Sequence, residues 1–201
     1  PEIVRSFMYH NNKKLTHVLS VGDPTQIHYA YDLLQGGILK MWKGNFLNAT
    51  DMWYERGEPQ TSSPLGASID LVGNCPMYDR TATKDSIADY QYKGYQLSAK
   101  GHPSFKYQFK KLSVEDQIAP NESGRGLSRT ITVSGEGKEK AWIRIAQGSN
   151  ITPLGNGIYA VDDQKYFIQL GESVFPNIET YLGQRVLILP AKEKIQYQLI
   201  W

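Results

Sequence analysis

The sequence predicts an all-β fold, an antiparallel β-sandwich built from serial hairpins. Three observations carry that expectation. The dominant hydrophobic period is two: Phe105, Tyr107 and Phe109 alternate with Ser104, Lys106 and Gln108, and the closing run 195–201 repeats the pattern. Alternation of this kind puts one face in a core and the other toward water or a second layer. Turn signals separate the runs at hairpin spacing. No stretch carries a helical period of useful length.

Taken in order, the first hairpin pairs 27–34 with 38–42 across Gln35, Gly36 and Gly37. The second pairs 92–97 with 104–109 across Ala99, Lys100 and Gly101, and the third pairs 127–133 with 140–146 across Gly135, Glu136 and Gly137. The fourth pairs 158–161 with 165–170 across Asp162 and Asp163. Short helical turns are expected near 86–89 and 178–182. Residues 57–80 are rich in Pro, Ser, Gly and Asn and read as a long surface connection, part of a loop region near 57–90. One domain over 1–201 with a layered sheet is the expected organisation. A large, mutarotase-like sandwich is the wider form of the same expectation.

Composition excludes several function classes. Twenty-two basic and twenty acidic residues leave a net charge of +2 with the lysines dispersed, whereas nucleic-acid binding calls for a clustered basic stripe. No apolar run approaches the ~20 residues a membrane-spanning helix needs. The single cysteine, Cys75, excludes an internal disulfide, a Cys-x-x-Cys-His haem attachment and a multi-cysteine zinc site. His10, His17, His28 and His102 match no short metal-ligand spacing. Calcium asks only for carboxylates and carbonyls, so Asp162 and Asp163 remain oxygen ligands to consider, against a plain turn role. The chain begins at Pro1, and the expectation is a processed or excised piece of a longer protein.

Two clusters combine chemistry-bearing side chains. In the first, His28 and Asp32 share a face of one strand about 13 Å apart, with Trp42 on the next strand. Imidazole, carboxylate and indole on one sheet face suit a sugar, whose ring stacks on Trp while polar groups take its hydroxyls. The competing reading makes the aromatics core and Asp32 the opener of the turn at 33–37. In the second cluster, Asp51 and Glu55 stand among Trp53, Tyr54 and Arg56. Paired carboxylates do acid–base work when one is desolvated; Arg56 could equally neutralise them as an ion pair.

The segments HVLSVGDPTQIHYAYDLLQGGILKMWKGNFLNATDMWYERG, YKGYQLSAKGHPSFKYQF and GLSRTITV resemble a region of large exported bacterial proteins. Those proteins join sorbosone/glucose dehydrogenase-like propellers to c-type cytochrome modules. The resemblance implies an exported, periplasmic or extracellular location and a carbohydrate context. It also implies that haem or quinone chemistry lies elsewhere in a parent protein, since neither motif is in this chain. The leading expectation is therefore a non-catalytic accessory module that binds glycan or bridges neighbouring modules. A sugar epimerase or lyase of mutarotase-like type, and a purely structural spacer, are the alternatives.

Overall fold

A computed structural model describes residues 1–54, 60–78, 80 and 89–201. The fold is all-β, with three antiparallel sheets. By internal contacts the chain divides into two compact units, Pro1–Asn74 and Cys75–Trp201.

Unit 1 holds β1 (Glu2–His10), β2 (Lys13–Gly22), β3 (Ile27–Asp32), β4 (Gly37–Asn48), the short helix α1 (Thr50–Tyr54) and β5 (Ser63–Asp70). Its five strands follow one another in sequence order. Asn11 and Asn12 both take left-handed backbone (φ 49 and 59), the geometry of the tight turn that joins β1 to β2. Phe7 forms a parallel bridge with Thr61. The Phe7 amide donates to Gln60 O at 3.2 Å and Phe7 O accepts from the Ser62 amide at 2.8 Å, so the two edges of the sheet meet. Met8, Val18, Ala30, Leu39 and Trp42 form the core cluster, with Leu15, Phe46 and Leu47 packed against it.

Unit 2 comprises β6 (Met77–Tyr78), β7 (Tyr90–Leu97), β8 (Pro103–Phe109), β9 (Leu112–Pro120), β10 (Gly126–Ser134), β11 (Trp142–Gly148), β12 (Ile151–Gly155), β13 (Ile158–Val161), β14 (Tyr166–Gln169), β15 (Asn177–Tyr181), β16 (Gln184–Pro190) and β17 (Lys194–Ile200). One sheet of eight strands runs in the order β12-β13-β14-β17-β10-β9-β8-β7, and one of four runs β15-β16-β11-β6. Inside it, Arg129 donates to both carboxylate oxygens of Asp116, at 2.8 and 2.6 Å, and to Tyr197 Oη at 3.1 Å.

Several expectations need correction. Residues 63–70 are a strand rather than a loop: β5 pairs with β4 along its whole length. At Gly66 a Cβ would collide with Lys43 O, so this strand depends on close backbone approach rather than on side-chain pattern. The third expected hairpin is not one. β10 pairs with β9 and β17, β11 pairs with β6 and β16, and residues 135–141 carry the chain from one sheet to the other. Residues 178–182 form no helical turn; β15 pairs with β16, and Leu182 and Gly183 (φ 48 and 77) make the tight turn between them. The helical turn expected near 86–89 falls outside the described residues, apart from Asp89. The hairpins β3–β4, β7–β8 and β13–β14 form as expected.

Candidate functional site

The first cluster from the sequence is brought together and covered. All six residues of β3 are buried. His28 sits opposite Trp42 in the ladder, with ring centroids 5.5 Å apart. The Asp23 amide donates to His28 Nδ1 at 3.0 Å, so Nε2 carries the proton and donates to Gly44 O at 2.8 Å. Trp42 is 0% exposed; its Nε1 donates to Phe46 O at 2.8 Å, and its ring stacks on Phe46. No face of this indole is open to a sugar. Asp32 accepts from the Leu34 amide at 2.8 Å and from Gln35 Nε2 at 3.0 Å, and its own carbonyl accepts from the Gly36 amide. Burial raises the Asp32 carboxyl above the ordinary aspartate value, against the lowering effect of those hydrogen bonds. Core aromatics and an aspartate opening a turn describe the observed packing.

The second cluster is open to solvent where it is described. Trp53 and Tyr54 are 81% and 85% exposed on α1, whose first amide (Thr50) donates to Asn48 Oδ1 at 3.1 Å. Asp51 is exposed and accepts from Thr61 Oγ1 at 3.5 Å. Glu55 and Arg56 lie outside the described residues, so the carboxylate pair has one described member.

Two other groups named from the sequence have structural tasks. Asp162 Oδ1 accepts from the Ser149 amide at 2.7 Å and the Ser149 hydroxyl at 2.8 Å, which ties the turn before β12 to the β13–β14 turn. Cys75 is buried, and burial pushes its thiol up to about 12, far from a reactive thiolate. Among the described residues no three His, Cys, Asp or Glu side chains gather as metal ligands.

The arrangement that the sequence marks only as the faces of alternating strands turned toward water or a second layer lies on the eight-stranded sheet. Strand β9 alternates strictly: Leu112, Val114, Asp116 and Ile118 are buried, while Ser113, Glu115 and Gln117 face outward. The registers align these outward residues into rows. One row runs Lys106, Glu115, Thr132, Lys194 across β8, β9, β10 and β17. A second runs Gln96, Ser104, Gln117, Thr130, Gln196 across β7 to β17, about 19 Å at ordinary strand spacing. Lys106 Nζ donates to Gln96 Oε1 at 2.7 Å, Lys93 Nζ to Gln91 Oε1 at 3.1 Å, and the Ser104 hydroxyl to Glu115.

A groove of about 360 Å³ opens on this face, with Lys93, Lys106, Gln108, Ser113, Glu115, Thr132 and Ser134 in its lining. An antiparallel sheet with one face on a core must carry polar side chains on the other. What this face adds is a concavity and a closely spaced array of both donors and acceptors. The signal was available: Gln, Ser, Thr, Lys or Glu stands at every second position over 104–108, 113–117, 128–134 and 194–198, on the neighbouring strands β8, β9, β10 and β17. Comparison with protein-family models, curated proteins and solved structures gives no match.

Proposed function

We propose that this chain is a non-catalytic accessory module of an exported, carbohydrate-linked redox protein, and that it contacts glycan through the open face of the eight-stranded sheet. The observation that supports the reading is the groove on that face. Amide, hydroxyl, ammonium and carboxylate groups stand at strand spacing there, within reach of one another. Sugar hydroxyls both donate and accept, so a mixed array meets them, directly or through bridging water. The resemblance to propeller–cytochrome proteins supports the exported location and the carbohydrate context, and it puts haem or quinone chemistry in other modules of the parent.

The test is calorimetry against a glycan and oligosaccharide panel, with Lys106→Ala/Gln108→Ala as the paired variant. Both side chains line the groove while the neighbouring Phe105, Tyr107 and Phe109 carry the core contacts, so the variant keeps its circular dichroism spectrum. Binding by the wild type and its weakening by about tenfold in the variant is the expected result, on the order of two exposed polar contacts. A panel in which nothing binds would leave the spacer reading in its place.

A further inference from the structure

A second groove in unit 2 differs in chemistry from the sheet face. It holds about 460 Å³ where the tip of the β8–β9 hairpin meets residues 135–141, the crossover between sheets. Its floor is apolar: Tyr78, Phe109 and Leu112 contribute buried side chains. Around it stand three ammonium groups, from Lys110 and Lys111 at the hairpin tip and Lys140 at the end of a 3-10 turn, Lys138–Lys140. Among the described lining residues Glu136 is the only carboxylate.

The backbone holds these groups together. Lys110 takes left-handed backbone at φ 54, which turns the hairpin tip. Gly135 has φ +119, and a Cβ there would stand 2.7 Å from Lys111 O. Only glycine therefore lets the crossover lie this close to the hairpin. Lys110 Nζ is 3.8 Å from Asp89 Oδ2. The ammonium groups of Lys111 and Lys140 make no hydrogen bond or ion pair among the described residues. Like charges held around an apolar floor repel one another, and an anion seated among them removes that cost.

We propose that this groove binds the carboxylate-bearing ring of an acidic oligosaccharide, a uronate sugar. The carboxylate would sit among Lys110, Lys111 and Lys140, with the apolar face of the ring on the floor. A bare phosphate would use the lysines and leave that floor unused, which favours an organic carboxylate. The inference rests on the glycan reading and narrows its ligand class, at a location distinct from the sheet face.

The experiment is calorimetry of the full chain with an oligogalacturonate and with a neutral oligosaccharide of equal length, each at low and raised salt. Three proteins are compared: wild type, Lys111→Ala/Lys140→Ala and Lys100→Ala/Lys165→Ala. The expected result is preference for the acidic ligand, affinity that falls with salt, and about tenfold weaker binding in the Lys111/Lys140 variant, the loss that two exposed charge contacts account for. The Lys100→Ala/Lys165→Ala control, which removes two exposed lysines that line neither groove, keeps its affinity for the acidic ligand. Equal binding of acidic and neutral ligands, or acidic binding indifferent to Lys111 and Lys140, overturns this inference and leaves the glycan reading standing. No binding of either ligand overturns both.

Discussion

Strand β3 of unit 1 and the outer face of the eight-stranded sheet in unit 2 use their polar residues in opposite ways. In unit 1, the β3 residues His28 and Asp32 point into the same interior as Ala30 and Trp42, and their polar atoms are satisfied by nearby backbone and Gln35. In unit 2, β9, β10 and β17 alternate, and their outward residues, together with Lys106 and Gln108 of β8, make a polar surface with a groove in it. A strand buried on both faces reads as a dense run of notable side chains, whereas an open face reads as unremarkable Gln, Ser and Thr. Chemical density in a β-sequence therefore points first to a core. The candidate binding surface is where the residues are individually plain but regularly spaced.

The largest effect that tests this contrast is the difference between two tryptophans of unit 1. Trp42 is fully buried, stacked on Phe46 and hydrogen-bonded through its indole, so Trp42→Ala removes a large buried volume and should cost about 3–5 kcal/mol. Trp53 stands 81% exposed, and Trp53→Ala should change stability by less than about 0.5 kcal/mol. Denaturant unfolding of both variants measures the gap. Similar losses from the two would mean that Trp42 is not held in a closed core.

Next comes the interior polar group of unit 2. Asp116 is 0% exposed and pairs with Arg129, which also donates to Tyr197. Asp116→Ala strands a buried guanidinium and should cost roughly 3 kcal/mol, near the low end for a broken buried pair because Tyr197 still accepts from it. Asp116→Leu/Arg129→Met removes both charges and should recover most of that loss. If the double variant is as unstable as the single one, the cost is packing rather than an unpaired charge.

How much was legible follows from the same physics. The hairpins β3–β4, β7–β8 and β13–β14 were readable because period-two runs there are broken by Gly, Lys-Gly or Asp-Asp turns. The turn at Asn11 and Asn12 carried an equally good signal that the expectation passed over. Strand β5 was hidden because its sequence, SPLGASID, has little pattern of its own: its pairing is imposed by β4, with Pro64 tolerated opposite Leu47 and Gly66 against Lys43. The crossover at 135–141 looked like a hairpin loop because Gly135 and Gly137 do have turn-like φ values. Which sheet β11 joins depends on its long-range partners β16 and β6, and local sequence does not state those. For the candidate surface, Lys106 and Gln108 are half-buried on the outer face, as their alternation predicts, while Ser104 is buried there beneath its hydrogen bond to Glu115. The assembly of β8 with β9, β10 and β17 into rows required the registers.

The smallest expected effect is a pair of opposed pH dependences in unit 1. His10 is buried at the end of β1, with Nδ1 3.9 Å from Asp70 Oδ1, too far for a hydrogen bond. Burial pushes its imidazole below the ordinary 6.5, Lys40 pushes the same way, and Asp70, the Leu71 backbone and Asp32 oppose them. The folded state therefore binds fewer protons here than the unfolded chain, so this contribution is full above 6.5 and is lost as pH falls through the lowered value. Asp32 has the opposite sign. Its carboxyl is raised by burial above 3.8, so its contribution is full below 3.8 and is lost as pH rises through the raised value. Unfolding free energies measured across pH should show the acid-side loss flattened in His10→Gln and the Asp32 slope flattened in Asp32→Asn, each variant sparing the other limb. Parallel profiles for wild type and His10→Gln would mean that the imidazole reaches solvent without opening the sheet edge where β1 ends. The interior of unit 1 would then be less closed than its packing implies.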